Sequence, residues 1–240
     1  MSWTTSPTIH ALHRFCGKGS GGCVMVEAVT IGRATLYCGD CRDLLPTTLL
    51  QADAAITDPP FGVGNFVQTS GNVRGDAVEW NNEPPSQWVF DHLRRLTKHR
   101  IIWGANFFNC FEREGGAIFW DKCQPMPNFS KGDIASCTHF KKTELVRIPW
   151  TNFTVTHKGE TDHPCERPVE LYRWCIEYLP QPITSVLDPY MGSGSCGVAA
   201  VQMGLNFIGV ERERRYFDIA CKRIEQAQRQ GDLFIEGAAA

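Results

Sequence analysis

Apolar residues recur along this chain in short blocks separated by Gly, Pro, Asn and Asp, and the blocks alternate between strand-like and helix-like periods. Val29 to Cys38 is β-rich and alternates apolar with polar positions, which predicts a strand closed by Gly39-Asp40. A short helix is expected after Asp43. Ala52 to Thr57 is a buried-type strand that stops at the turn Asp58-Pro59-Pro60. Residues 62–85 are rich in Gly, Asn and Pro and hold no period, so they read as a long loop of the kind that is often functional. Ser86 caps a predicted helix that reaches about Leu96, with Trp88, Leu93 and Leu96 among its apolar positions. Trp80 and Trp88 are expected in the core, with an interface as the alternative. Arg100 to Gly104 and Ala117 to Trp120 read as strands, residues 124–132 as a loop, and Ile134 to Phe140 with Leu145 to Trp150 as a hairpin. Arg167-Pro168 opens a helix to Leu179, with Pro in its first turn. A strand (Ile183 to Leu187), a helix (Ser195 to Met203), a strand (Asn206 to Val210) and a helix (Arg212 to Arg229) complete the pattern. Strands alternating with helices predict an α/β fold: a doubly wound, mainly parallel sheet with an antiparallel strand near the hairpin edge.

Length and composition narrow the class. The 240 residues suit one domain with a full core, or a domain with a small appendage. Composition is ordinary, 42% hydrophobic and 21% charged, and no apolar run is long enough to span a bilayer, so no membrane partner is expected. Residues 1–28 are rich in Ser, Thr and Gly and lack the apolar centre of a signal peptide. They are expected to be a disordered leader, with Met25 an alternative start, followed by a domain over 29–232 and a tail over 233–240. Among eleven cysteines the only close pair is Cys38 and Cys41, with no second pair at zinc spacing. No metal is therefore expected, and reduced cytoplasmic thiols are the better reading. A net charge of −2 counts modestly against a nucleic-acid partner. Two clusters, Arg94, Arg95, Lys98 and Arg100, then Lys141, Lys142, Arg147 and Lys158, could bind phosphates or could be solvated surface.

Two loops carry the candidate chemistry. Asp188-Pro189-Tyr190-Met191-Gly192-Ser193-Gly194-Ser195 joins a predicted strand to a predicted helix, where Gly192 and Gly194 permit close approach of a ligand to the backbone. Glu211 ends the next strand, where a carboxylate can accept both hydroxyls of a ribose. The Walker lysine and the third dinucleotide glycine are missing, so a nucleoside suits this loop better than a nucleotide. In Asp58-Pro59-Pro60-Phe61, two prolines stiffen the chain and remove donors, leaving Asp58 and a nearby carbonyl to accept from one exocyclic amino group. Phe61 offers a flat apolar face for stacking an extruded base. Cys123-Gln124 lacks the preceding proline expected of a cysteine nucleophile acting on a base carbon.

Over about residues 29–229 these motifs resemble those of the amino-methylating DNA methyltransferases, the adenine-N6 and cytosine-N4 group. Asp58 to Phe61 resembles their catalytic (Asp/Asn/Ser)-Pro-Pro-(aromatic) motif, and Asp188 to Ser195 their cofactor loop, usually Asp-Pro-Phe-x-Gly-Ser-Gly-Thr. His163-Pro164-Cys165-Glu166-Arg167-Pro168 is similar to the stretch, often ending Glu-Lys-Pro, that flanks the methionine end of the cofactor. Gly39-Asp40 resembles the carboxylate motif near the adenine ring. The resemblance implies a sheet of the SAM-dependent methyltransferase (Rossmann-like) type, S-adenosyl-L-methionine as cofactor, and double-stranded DNA with its target base flipped out. It implies Asp58, Pro59, Pro60 and Phe61 as catalytic residues. It places Asp40, Asp188, Tyr190, Gly192, Ser193, Gly194, Ser195, Glu211 and Arg167 at the cofactor. A cytoplasmic location in a prokaryote or phage host, a restriction-modification setting and a homodimer option follow from the same resemblance.

Motif order adds a distinction. The catalytic motif precedes the cofactor motif, as in the circularly permuted β arrangement of that family, whereas glutamine and small-molecule methyltransferases normally carry the glycine loop first. Tyr190, Ser195, Arg167 and Phe61 stand where Phe, Thr, Lys and Tyr are usual; each keeps shape or charge, though Arg for Lys changes geometry. Asp at position 58 favours adenine N6 over cytosine N4. An RNA amino methyltransferase and an inactive SAM-binding subunit are the alternatives. Only residues 62–85 and 124–161 are left for target recognition, with Arg74, Asn81, Asn82 and Lys131 as candidate base contacts, so short or loose specificity is expected.

Overall fold

The computed structural model describes residues 9–16, 23–63, 83–125, 127, 130–150 and 166–238. Among the described residues ten strands form one sheet: β1 (Ile9–Cys16), β2 (Cys23–Ile31), β3 (Ala34–Cys38), β4 (Ala52–Thr57), β5 (Thr97–Trp103), β6 (Gly116–Asp121), β7 (Gly132–Cys137), β8 (Thr143–Arg147), β9 (Ser185–Asp188) and β10 (Asn206–Glu211). Their order across the sheet is β1-β2-β3-β10-β9-β4-β5-β7-β6-β8. The centre, from β3 to β5, is parallel throughout; β2 and β7 run antiparallel to both of their neighbours. This is the doubly wound, mainly parallel sheet that the alternation of periods predicts.

Alternation within each strand sends side chains to two cores. On one face, Leu36, Ala54, Ile56, Ile101, Trp103, Val186 and Phe207 pack with α4 (Val169–Tyr178), α5 (Ser195–Gln202) and α6 (Arg214–Ala238). On the other, Tyr37, Ala55, Ile102, Leu187 and Val210 pack with α1 (Cys41–Leu44), α2 (Gln87–Leu96) and α3 (Ala105–Phe108). Chain travel reverses between β9 and β4. From β9 it passes through α5 to β10 on one side, and from β4 through α2 to β5 on the other, which makes this seam the topological switch point.

Several boundaries differ from the sequence expectation. Residues 9–16 and 23–28, expected in a disordered leader, lie in β1 and β2, paired antiparallel from Ile9↔Thr30 to Cys16↔Cys23. The predicted strand Val29 to Cys38 is two strands, because Gly32 takes φ of +54° and turns β2 back onto β3. The expected hairpin is not one: β6 lies between β7 and β8, pairing antiparallel with the first and parallel with the second. Helix α6 runs on to Ala238, past the expected start of the tail. Trp88 is 40% exposed and stacks obliquely on His92, so it lies outside the core. Trp80 lies outside the described residues.

Phe207 is among the largest fully buried side chains, and its ring fits only because Gly197 and Gly209 carry no side chain: a Cβ at either would come within 2.7 Å of it. Phe207→Ala is expected to destabilise the fold by about 3–5 kcal/mol. Urea denaturation checks this, as a lower midpoint at unchanged slope.

Candidate active site

The seam between β4 and β9 brings the two motif loops together. The strands pair in parallel through Ala54↔Val186 and Ala55↔Leu187, so Asp58 and Asp188 leave the same edge of the sheet. The strand ends are tied directly, with the Thr57 hydroxyl donating to Asp188 Oδ1 at 2.7 Å in a buried hydrogen bond. The Tyr190 amide donates to the same oxygen at 3.1 Å. Burial pushes the Asp188 acid up to about 7 despite these donors. Asp188 is therefore a fixed corner of the glycine loop.

The glycine loop is held from both sides. Gly192 and Gly194 take φ of +53° and +85°, conformations that L side chains rarely adopt. Glu211, at the end of β10, accepts from the Gly192 amide at 3.0 Å and from the Glu213 amide at 2.7 Å. Burial raises its pKa, and those backbone donors offset part of the rise. From α6, Arg223 donates to the Ser193 carbonyl (2.9 Å), the Ser193 hydroxyl (2.8 Å) and the Ser195 hydroxyl (3.3 Å), and pairs with Glu166 at 2.6 Å. Asp40 ends the loop after β3, next to β10. Its neighbour Gly39 donates to the Glu211 carbonyl, while Asp40 caps α1 through the Arg42 amide and forks onto the Arg42 guanidinium. Burial works to raise the Asp40 pKa, and the Arg42 contacts more than reverse it. Tyr190 packs into the α1–α2–α3 core. Asp40, Asp188, Tyr190, Gly192, Ser193, Gly194, Ser195 and Glu211 thus lie along neighbouring strand ends.

The Arg167 guanidinium forks onto Asp58, with Nε to Oδ2 at 2.5 Å and Nη2 to Oδ1 at 2.6 Å. Nη1 donates to Asp133 on β7 at 2.7 Å, and Lys122 pairs with the other Asp133 oxygen at 3.0 Å. The guanidinium lies 5.0 Å from the Trp103 ring and 5.2 Å from that of Trp120. Burial raises the Asp58 acid; Arg167 opposes this, and Asp133 adds to it. For Asp133, Arg167 and Lys122 outweigh burial and lower the pKa. Phe61 also has a protein neighbour: Phe107 stacks on it at 4.8 Å and 17°, and Phe108 meets its edge at 5.9 Å. Phe107 is itself 48% exposed.

Phe107, Lys122, Asp133 and Arg223 were not legible as site residues, because each reaches the site from a distant segment with no local motif of its own; Thr57 directly precedes Asp58, but its partner Asp188 lies 131 residues away. The basic clusters prove largely paired. Arg94 meets Asp91 and Glu112, Arg100 meets Glu112, Lys141 meets Glu114, Lys142 meets Glu144 and Arg147 meets Asp121. Lys131 donates to the Gln124 carbonyl at 3.1 Å. Arg74, Asn81, Asn82, Lys158 and His163-Pro164-Cys165 lie outside the described residues. Cys41 is buried and its thiol is pushed up to about 12 by that burial, which disfavours the thiolate a metal would need.

Comparison with known proteins identifies the arrangement. A family model of N6- and N4-methyltransferases, described as DNA methylase, matches residues 135–222, from β7 into α6. The type II methyltransferase M.HinfI of Haemophilus influenzae is 27% identical over 260 residues, covering 85% of this chain and 71% of the relative. M2.DpnII of Streptococcus pneumoniae is 27% identical over 221 residues, covering 72% and 82%. The chain is similar to amino-methylating DNA methyltransferases. Solved structures agree on the SAM-dependent methyltransferase fold. The M1.HpyAVI–SAM complex matches with a TM-score of 0.52 at 22% identity, covering 79% of this chain and 99% of that one. The PvuII DNA methyltransferase (cytosine-N4-specific) matches with a TM-score of 0.58 at 16% identity, covering 87% and 94%.

This geometry generates two predictions. Because folding raises the Asp188 pKa, the protonated acid favours the fold, and that stability is lost as pH rises from about 4 towards the folded value of about 7. Asp188→Asn should flatten this loss, leaving stability near wild type at low pH and above it at neutral pH, as followed by thermal melts across the range. Gly104 has φ of +75°, and a Cβ there would lie 2.3 Å from Phe61 Cε1. Gly104→Ala should therefore cost about 1–2 kcal/mol from the backbone alone and shift the Phe61 ring, to be read by denaturation and aromatic NMR shifts.

Proposed function

We propose that this chain transfers a methyl group from S-adenosyl-L-methionine to the N6 amino group of adenine in double-stranded DNA, with the target base turned out of the helix. The observation that carries the reading is the Asp58-Pro59-Pro60-Phe61 loop leaving the sheet beside the glycine loop, across one parallel strand pair tied by Thr57 and Asp188. The residues suit a nucleoside-bearing cofactor. Two positive-φ glycines present bare backbone, and Glu211 keeps acceptor capacity beyond its two backbone donors. In this reading Asp40, Asp188, Tyr190, Gly192, Ser193, Gly194, Ser195 and Glu211 hold the cofactor. When bound, it supplies a methyl group on a positively charged sulfur.

The chain's own part is to orient and to accept. Asp58 and a carbonyl of the Pro59-Pro60 turn accept from the amino group of the base, directing the nitrogen lone pair towards the methyl. Positioning of this kind supplies a large share of a methyl-transfer rate. Asp58 need not be a strong base, since the nitrogen becomes acidic only as the new bond forms. Phe61, backed by Phe107, gives the base an aromatic surface. Residues 132–137 and 143–147, expected within a recognition segment, are strands β7 and β8 of the sheet, so recognition is read into 62–85 and the stretches of 124–161 outside those strands, in a domain over 29–232 that acts in the cytoplasm of a prokaryote or phage host. The adenine assignment rests on Asp at position 58. Cytosine N4 is the second reading, favoured by the fold match to the cytosine-N4-specific PvuII enzyme.

The test is transfer of labelled methyl from S-adenosyl-L-methionine to unmethylated DNA, followed by nucleoside mass analysis. N6-methyladenine is expected from the wild type, with Asp58→Ala lower by at least about 100-fold. N4-methylcytosine would keep the mechanism and change the base. A cofactor-binding protein that modifies no DNA would favour RNA or an inactive subunit.

A further inference from the structure

The resemblance assigns Arg167 to the cofactor's methionine end; in the structure its guanidinium is committed to two carboxylates. Nε, Nη1 and Nη2 each donate to a carboxylate oxygen of Asp58 or Asp133. Both Trp103 and Trp120 lie within cation–π distance of its charge. The side chain is only 5% exposed, whereas that of Asp58 is 20% exposed. The cation is therefore enclosed while the carboxylate it grips remains reachable. We propose that Arg167 is a positioning residue for the Asp58 acceptor rather than a ligand of the cofactor, and that Asp133, held by Lys122, keeps it in place.

The chemistry of the fork explains what this would achieve. A guanidinium meeting a carboxylate through two parallel N–H donors fixes the carboxylate plane as well as its position. Each Asp58 oxygen has lone-pair capacity beyond the one guanidinium donor it meets. That remaining capacity is where an amino group of a base would be accepted. Asp133 takes the third donor on its Oδ2, and Lys122 takes its Oδ1 while lying 5.2 Å from the Trp120 ring and 5.5 Å from the Trp150 ring. Two carboxylates and two cations alternate along one chain, Asp58–Arg167–Asp133–Lys122, so Arg167 can pivot only by breaking the Asp133 contact. A lysine at 167 would keep the charge and lose the fork.

This proposal rests on the methyl-transfer reading, and its test separates the two. Arg167→Lys, Arg167→Gln and Asp133→Asn are compared with wild type in two measurements: S-adenosyl-L-methionine affinity by calorimetry, and kcat for DNA methylation at saturating cofactor. A positioning role predicts kcat lower by about 100-fold in both Arg167 variants, as for a misplaced reacting group. It predicts a smaller fall in Asp133→Asn, and cofactor affinity within about threefold of wild type, under 1 kcal/mol, in all three. A tenfold or greater loss of cofactor affinity in Arg167→Gln overturns the proposal, as does an unchanged kcat in Asp133→Asn. Should Arg167→Gln fail to fold, the conservative Arg167→Lys and Asp133→Asn variants decide by the same criteria. A wild type that binds the cofactor and methylates no DNA overturns the methyl-transfer reading, and the positioning role falls with it.

Discussion

The site depends on one short parallel pairing, β4 against β9. Only Ala54↔Val186 and Ala55↔Leu187 register it, and the Thr57–Asp188 hydrogen bond closes it at the loop end. Register is well specified here because both faces of β4 are buried: Ala54 and Ile56 face the α4–α5–α6 core, and Ala55 faces the other. A slip of one residue would exchange these faces, which the packing forbids. Small residues at Ala54 and Ala55 matter for the same reason, since they let helices approach the central strands. The distance between the Asp58 loop and the glycine loop is thus set by strand spacing and not by the loops themselves. Chain connectivity has little say in it. The order of the two motifs along the sequence is free to change as long as their strands remain neighbours.

Around that seam the structure retains charges that stability alone does not explain. Removing carboxylates and guanidinium groups from water costs several kcal/mol per ion, and well-packed apolar substitutes are often no less stable. The set Asp58–Arg167–Asp133–Lys122 is tolerated because its charges cancel and its donors are satisfied, with indole rings near both cations. Burial and pairing with opposite charge work in opposite senses on Asp58, Asp133 and Arg167, and for Arg167 the two carboxylates prevail, holding it ionised. Such a cluster confers geometry: it fixes the orientation of an acid that an apolar core could not orient. The glycine loop is secured on the same principle by Arg223 and Glu211, which occupy its carbonyl and amide groups and leave its turn little freedom.

Features carried by contiguous residues were legible in the sequence, and those made by distant residues were not. Asp58 to Phe61 and Asp188 to Ser195 announce themselves because a stiff turn and a close-approach turn each need particular residues in a row. The central strands were legible because burial on both faces demands continuous apolar runs. The β6–β7–β8 region misled because two short β-like runs in succession normally pair as a hairpin, whereas here β8 crosses to the far side of β6. Gly32 was hidden inside an alternation that continued across the turn. Arg167 was assigned by its neighbours in sequence, while its environment is set by Asp58 and Asp133, which lie 109 and 34 residues away.

The aromatic half of the site follows the same logic. Phe61 can approach the backbone at Gly104 only because that residue lacks a side chain, and Gly104 adopts a left-handed conformation to begin α3. The helix then delivers Phe107 and Phe108 to the face and edge of the Phe61 ring. One ring in the motif therefore becomes the centre of a small aromatic group whose outer member, Phe107, meets solvent. An aromatic pair of this kind gives any planar base a rigid apolar surface at low entropic cost, and it does so without base-specific contacts. Discrimination between adenine and cytosine must then come from groups that read the edge of the base. In the proposed function the acceptors around Asp58 take an amino group that both bases carry, so the aromatic pair and these acceptors together suit either base.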